Sequence, residues 1–450
     1  MLCTTLLLVC IPHSYATDLL SLYIEARQQD TEYAIALAEV LVGDEKAVQG
    51  RAGLLPQLSL ESQTSMSNTS YELDSGSQEH RRQNRNYGVQ LTQPVFRWKN
   101  WIEYEQGDLQ KAVAETRLRK ADQALIVRVA ETYFAALNSE DIYDSIAMLR
   151  KSYSEQLASA RKNFELGNVS IADVHEAQAS FDRASANLIR ANNDKVIAYQ
   201  YLAKIVARTP GSLKGLSEPV YLTAPQPALV EEWLSVVESE NPDIQIQKLL
   251  LDIVAHEVKR KKAEHLPTID LFVSHNMQQN PSANTESSES SSIGLRLSMP
   301  LYSGGRTRSG VREALAMHSQ AEYELEDARR TARVATWDAW SGVISGIAQV
   351  QALEAAQKSA QLAVDSNLMG YEVGVRVGID VLQVQSQLSE TMQQLSRARY
   401  DTLLAQLRLK AAVGALQEKD VEDINALLQH CPHNSKDMDC PDPTVRKHST

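Results

Sequence analysis

The sequence predicts a mainly α-helical chain that also carries four β-strands of membrane-spanning length, the whole built by internal duplication. The first observation is that the chain echoes itself. Leu55-Pro56-Gln57-Leu58-Ser59-Leu60 returns as Leu266-Pro267-Thr268-Ile269-Asp270-Leu271, Gly88–Pro94 returns as Gly294–Pro300, and Gly167–Asp173 returns as Gly374–Asp380. Read at Pro56 and Pro267, Pro94 and Pro300, and Asp173 and Asp380, the offsets are 211, 206 and 207 residues. Three ordered matches at nearly one spacing mark a duplicated unit of about 200 residues. Second, glycine, proline and phenylalanine are scarce at 19, 14 and 5 of 450 residues, so turns are few and helices long. Third, the apolar period changes from that of a helix to strict alternation at two places in each unit.

Residues 1–16 read as a secretory signal, with an apolar run from Leu6 to Ile11 followed by Ser14-Tyr15-Ala16, a small-x-small cleavage pattern. No Lys or Arg precedes that run, which points to a true start further upstream. Val9 before Cys10 argues against a lipid-anchored cysteine.

Residues 17–215 form the first structural repeat. A helix is expected over 18–53, where Leu19, Leu22, Tyr23, Ala26 and then Ala34, Leu37, Ala38 and Leu41 recur at three and four. Strands follow at about 57–66 and 86–96, separated by a loop of Ser, Asn and charged residues. Long helices fill 98–206 and are interrupted at Gly167. The first of them, at about 1.5 Å per residue, would run roughly 100 Å. Residues 216–228 are a proline-rich linker. The second repeat, 229–428, has a helix broken at Asn241-Pro242, strands at about 268–275 and 292–302 around a loop at 276–291, and long helices over 305–413 interrupted at Gly374 and Gly378. The polar tail 429–450 reads as disordered.

The strands constrain the assembly. Each alternates apolar residues with polar ones, and Gln90, Thr92, Asp270, Arg296 and Ser298 share the polar face. In a membrane barrel that face lines the lumen while the apolar face meets lipid. Beyond the signal, no apolar run reaches the roughly 18 residues of a spanning helix. Four strands cannot close a barrel, and an open edge in lipid leaves backbone groups unpaired. The sheet is therefore either soluble or part of a barrel shared by several chains, and three chains would supply twelve strands. The long helices, with stripes such as Leu118, Ala121, Leu125, Val129, Thr132 and Ala136, suit side-by-side packing into a helical wall. The blander alternatives are a coiled-coil bundle with a small β-domain or a secreted coiled-coil binding or adhesion protein.

The ordered motifs carry a family resemblance. The Leu-Pro strand starts, Gly294-Leu-Arg-Leu-Ser-Met-Pro-Leu-Tyr-Ser-Gly-Gly305 and Gly370-Tyr371-Glu-Val-Gly374 through Asp380-Val-Leu382 resemble the TolC family of outer-membrane channel proteins, over essentially 18–428. The resemblance implies a homotrimer whose twelve-stranded barrel sits in the outer membrane and whose helices form a periplasmic tunnel. It implies a periplasmic adaptor and an inner-membrane transporter of the ABC or RND type as partners. It also implies a periplasmic gate made by Asp173, Tyr371 and Arg376, and a constriction ring at Asp380. Gln383 stands where the family's archetype carries a second aspartate, and Ala172 where that archetype carries a hydroxyl residue. Read without the family, Asp173 and Asp380 are helix-start residues that cap exposed N–H groups.

Other chemistries find little footing. The formal charge of −12 and the lack of a basic cluster exclude an ordinary nucleic-acid binder. There is no phosphate-binding Gly-Lys-Ser/Thr loop, and His175-Glu176 and His256-Glu257 lack the second histidine of a zinc helix. His430, Cys431, His433 and Cys440 can be drawn as a metal site, but a disulfide in an oxidising compartment, or a tail with no role, accounts for them as well. No catalytic residue, metal or cofactor is expected, and transported cargo is not legible.

Overall fold

The computed structural model describes residues 17–73, 76–217, 219–282 and 285–429. The signal segment and the tail cysteines lie outside them. In chain order the elements are α1 (Leu19–Gln29), α2 (Thr31–Ala52), β1 (Gln57–Leu73), β2 (Gly76–Phe96), α3 (Trp98–Glu165), α4 (Ile171–Val206), β3 (Gly215–Leu216), α5 (Val230–Glu240), α6 (Pro242–Ala263), β4 (Thr268–Ser282), β5 (Thr285–Ser298), α7 (Arg306–Glu372), α8 (Gly378–Val413), α9 (Glu418–Asn425) and β6 (Leu428–Gln429). The described residues divide into two compact units, one within 17–34, 122–237 and 334–429, the other within 35–121 and 238–333.

Three sequence expectations change. The helix expected over 18–53 is two helices, because Asp30 leaves the helical conformation, accepts from Tyr33 N at 2.8 Å and pairs with Arg128 Nη2 at 2.6 Å. An aspartate that caps the second helix while holding a guanidinium gains more than one continuing the first. The polar stretches 67–86 and 276–291 are not loops. The ladder between β1 and β2 continues to Leu73 opposite Gly76, and that between β4 and β5 to Ser282 opposite Thr285. A ladder needs backbone groups, not apolar side chains, so Ser- and Asn-rich chain stays extended once its register is set. Finally, the strand expected to reach 302 ends at Ser298, before Met299-Pro300, where proline cannot donate to a ladder.

In the first unit the core lies between helices. Leu22, Tyr23 and Ala26 of α1, Leu125, Val129 and Tyr133 of α3, Leu202 of α4 and Leu403 and Leu407 of α8 are all buried. Polar side chains tie α3 to its neighbours. Tyr153 OH donates to Leu382 O at 3.0 Å, Ser145 Oγ lies 2.8 Å from Ser389 Oγ, and the Asp141 carboxylate accepts from Ser396 and, at 2.9 Å, from Tyr400 OH. On α4, Lys195 Nζ reaches Glu140 Oε1 at 2.6 Å. The short β3 pairs with β6, joining the linker to the end of the second repeat.

Asp18 anchors the start of α1. It accepts from Ser21 N at 3.0 Å, and its other oxygen meets Lys214 Nζ and Asn425 Nδ2, each at 3.3 Å. Burial opposes its charge, but the hydrogen bonds from Ser21, Asn425 and Lys214 outweigh it and lower the carboxyl to about 2. A depressed carboxyl contributes stability above its unfolded value, near 3.8, and loses it as pH falls towards about 2. Asp18→Asn should therefore melt earlier than the parent at pH 6, with the difference vanishing by about pH 2. Melting curves across that range check it, and a gap independent of pH would mean that Asp18 acts as a neutral cap.

In the second unit α2 and α3 approach closely. A Cβ on Gly50 would lie 2.8 Å from Glu103 O, and one on Gly107 would lie 2.9 Å from Lys46 O. Glycine is required at both because the opposing atoms are backbone, which cannot swing away.

Candidate functional site

The second unit carries a four-stranded antiparallel sheet in the order β1-β2-β4-β5, so β1 and β5 are its edges. The register sorts its faces, since directly opposed residues point the same way. Leu58, Leu91, Val273 and Ile293 form one row across all four strands. Rows above and below it add Leu60 and Val89, then Leu271 and Leu295, then Ile269 and Leu297. Leu58, Leu60, Ile293, Leu295 and Leu297 are 71%, 77%, 73%, 69% and 67% exposed. A contiguous bare apolar band of this kind is a surface meant to be covered.

The opposite face holds Gln90, Thr92, Asp270, Arg296 and Ser298 together. Gln90 Nε2 donates to Thr92 Oγ1 at 3.1 Å. Asp270 lies opposite Arg296 but is buried and bonded elsewhere: Arg97 Nε and Nη2 reach its two oxygens at 2.7 Å each. That fork-on-fork geometry is the strong form of a charge-assisted pair. Arg296 in turn stacks over the Phe272 ring, 5.0 Å from its centroid. Sequence reading missed both Arg97, which precedes a helix rather than alternating in a strand, and Phe272, an aromatic on an otherwise polar face.

In the first unit, two glycines in the left-handed region, Gly167 at φ +78° and Gly374 at φ +75°, end α3 and α7 and let the chain reverse into α4 and α8. Asp173 closes a reciprocal cap with Ser170: its Oδ2 accepts from Ser170 N at 2.8 Å while Ser170 Oγ accepts from Asp173 N at 3.4 Å. Asp380 lies in the first turn of α8 without such a box, and Arg376 Nη1 lies 3.6 Å from its Oδ2. Tyr371 OH accepts from Asn163 Nδ2 of α3 at 3.4 Å, a partner that sequence reading did not name. Among the described residues, Asp173 is thus engaged in its own cap, Arg376 pairs within its own turn, and Tyr371 reaches across to α3.

The same turns expose Leu166, Ile171, Val373, Val375 and Val377, at 65%, 50%, 74%, 78% and 57%. Beneath them Tyr153, Leu157, Ala160, Ala177, Ala184 and Leu382 form a buried cluster that fixes the turns' bases. Among the described residues, no helix is long and apolar enough to cross a membrane, and no group of side chains is arranged to hold a metal ion.

The sequence matches the outer membrane efflux protein family over residues 22–208 and 233–415, one segment in each repeat. It is 30% identical to the alkaline protease secretion protein AprF of Pseudomonas aeruginosa, over 97% of this chain and 94% of that one. It is 29% identical to the outer membrane protein TolC of Escherichia coli, over 92% and 86%. Among solved structures, the Campylobacter jejuni CmeC outer membrane channel superposes with a TM-score of 0.78 at 15% identity, covering 91% of this chain and 90% of that one.

Proposed function

This chain belongs to the outer membrane efflux protein family, and on that footing we infer that it is the outer-membrane exit duct of a tripartite efflux or type I secretion system. It works as a homotrimer, with a periplasmic adaptor and an inner-membrane transporter as partners, and most of the chain lies in the periplasm. The single observation that carries the reading is the four-stranded sheet with two open edges and one bare apolar face. Such a sheet is stable in lipid only when further chains close it. The chain performs no chemistry of its own, and the driving energy comes from the transporter.

The proposed roles of individual residues rest on their motif positions and on the faces of the strands. Gln90, Thr92, Asp270, Arg296 and Ser298 face the lumen, where Arg97 holds Asp270 in place. The turns near Gly167 and Gly374 form the periplasmic entrance. Asp173, Tyr371 and Arg376 gate it, and three copies of Asp380 make its charged ring. AprF is named for secretion of a protease, which favours a polypeptide cargo over a small molecule here.

Native mass measurement in detergent tests the assembly. The expected species is a trimer that resists heat in detergent and conducts in planar bilayers. A monomer with a closed barrel, or a protein that fractionates as soluble, would refute the reading.

A further inference from the structure

Beyond the apolar band, the lipid-side face of β2 continues outward. The alternation of exposure is unbroken: Arg81, Gln83, Arg85 and Tyr87 are exposed, while Arg82, Asn84 and Asn86 between them are half-buried on the inner face. Arg81 and Arg85 therefore project from the same side as Val89 and Leu91. They lie nearer the hairpin turn, with Tyr87 at the boundary. Tyrosine at the edge of an apolar band marks the level where hydrocarbon gives way to headgroups. The helix-linked end of the sheet faces the periplasm, so the hairpin end, where the arginines lie, meets the outer leaflet.

The two guanidiniums are largely uncommitted. Arg81 Nη2 donates to Met66 Sδ at 3.4 Å, a weak acceptor that leaves its other donors open. Arg85 has no bonded partner among the described residues. They stand four residues apart, about 13 Å along the strand. Their cross-strand neighbours are uncharged: Asn68 opposite Arg81, and Thr64 and Gln279 opposite Arg85. Acidic groups on this face bound the pair rather than neutralise it. Glu79 lies two residues beyond Arg81, and Glu289, in the Tyr87 row, sits 3.5 Å from His275 Nε2.

We propose that Arg81 and Arg85 bind the phosphate groups of a phosphorylated lipid in the outer leaflet, whose acyl chains lie on the adjoining apolar band. An exposed guanidinium presents a planar fork that matches a phosphate bidentately. Continuity with the lipid-facing surface selects a headgroup over a free anion, since only a lipid can occupy the band and the basic pair together. The proposal rests on the inside–outside assignment of the strands given above.

The test titrates purified trimer in detergent with a bis-phosphorylated lipid and with the same lipid after dephosphorylation, counting bound molecules by native mass measurement. The parent should hold about one phosphorylated molecule per protomer and much less of the other. Arg81→Gln with Arg85→Gln should weaken binding about ten-fold or more, as expected for losing charge-assisted bonds. Arg82→Gln, on the inner face, should bind like the parent. Equal binding by the parent and the double variant, equal binding of the dephosphorylated lipid, or complete displacement by inorganic phosphate would each overturn the proposal. If Arg82→Gln alone abolished binding, the strand faces themselves would be reversed, a failure distinct from the others. Should the double variant not assemble, Arg85→Gln alone carries the same comparison.

Discussion

Leu295→Arg should all but abolish assembled trimer in the outer membrane, whereas Ser298→Asn should leave it near the parental yield. The two positions are three residues apart on β5 and so point to opposite faces. Leu295 is 69% exposed and neighbours the row of Leu58, Leu91, Val273 and Ile293, which is apolar on every strand. A charge placed there meets hydrocarbon and costs about 2–4 kcal/mol near the midplane. The cost recurs in every protomer and falls on a sheet whose edges close only by association. Ser298 is opposite Thr268 on the polar face, so an amide there meets water. Heat-resistant trimer on gels, with detergent-extracted membranes as input, checks the pair. Equal yields from the two variants would mean that the faces are wrongly assigned, whatever the oligomer.

The contrast between those two positions is legible in the sequence itself, because alternation along a strand is local and survives duplication. Leu295 and Leu297 against Arg296 and Ser298 already separate two faces, and Leu58 and Leu60 repeat the pattern in the first half. The fold class was legible for the same reason, since long helices and short alternating runs leave different periods. What failed were decisions made by partners distant in sequence. Asp30 breaks a helix because Arg128 stands opposite it, and Arg128 is 98 residues away. The polar hairpin segments pair because β1 and β2 have fixed each other's register, which composition does not reveal. Arg97 bonds Asp270 across 173 residues, so a residue expected simply on the polar face is held in a buried pair. At the helix turns, motif position named Asp173, Tyr371, Arg376 and Asp380. The within-chain bonds, however, link Asp173 to Ser170 and Tyr371 to Asn163, and these depend on the exact reversal of each hairpin.

Arg376→Ser and Asp380→Asn should shift ion selectivity in opposite directions. The Arg376–Asp380 pair spans 3.6 Å, one helical turn apart, with the side chains 58% and 36% exposed. An exposed pair of this kind contributes only about 0.3–0.5 kcal/mol, too little to latch a tunnel by itself. In the ring proposed for Asp380, the pair's electrostatic effect would exceed its mechanical one, because each arginine would screen one of three like charges. Three Asp380 copies near one axis would raise the negative potential and draw cations, since clefts of one sign focus that field. Removing Arg376 should unmask the ring, so the channel should become more cation-selective and more readily blocked by a multivalent cation from the periplasmic side. Removing the carboxylate should lower both selectivity and block, and raised salt should flatten every difference by screening. Gln383 supplies no second ring, so the block should rest on Asp380 alone. Conductance separates the mechanical role. If Arg376 also bonds a neighbouring protomer through Asp173 or Tyr371, Arg376→Ser should raise single-channel conductance well beyond what the weak intrachain pair allows, since a charge-assisted bond contributes about 1.5–3 kcal/mol. Reversal potentials and single-channel currents in planar bilayers measure both quantities on the same trimers. Selectivity that moved in the same direction in both variants would remove Asp380 from the constriction and leave it a residue of the first helical turn.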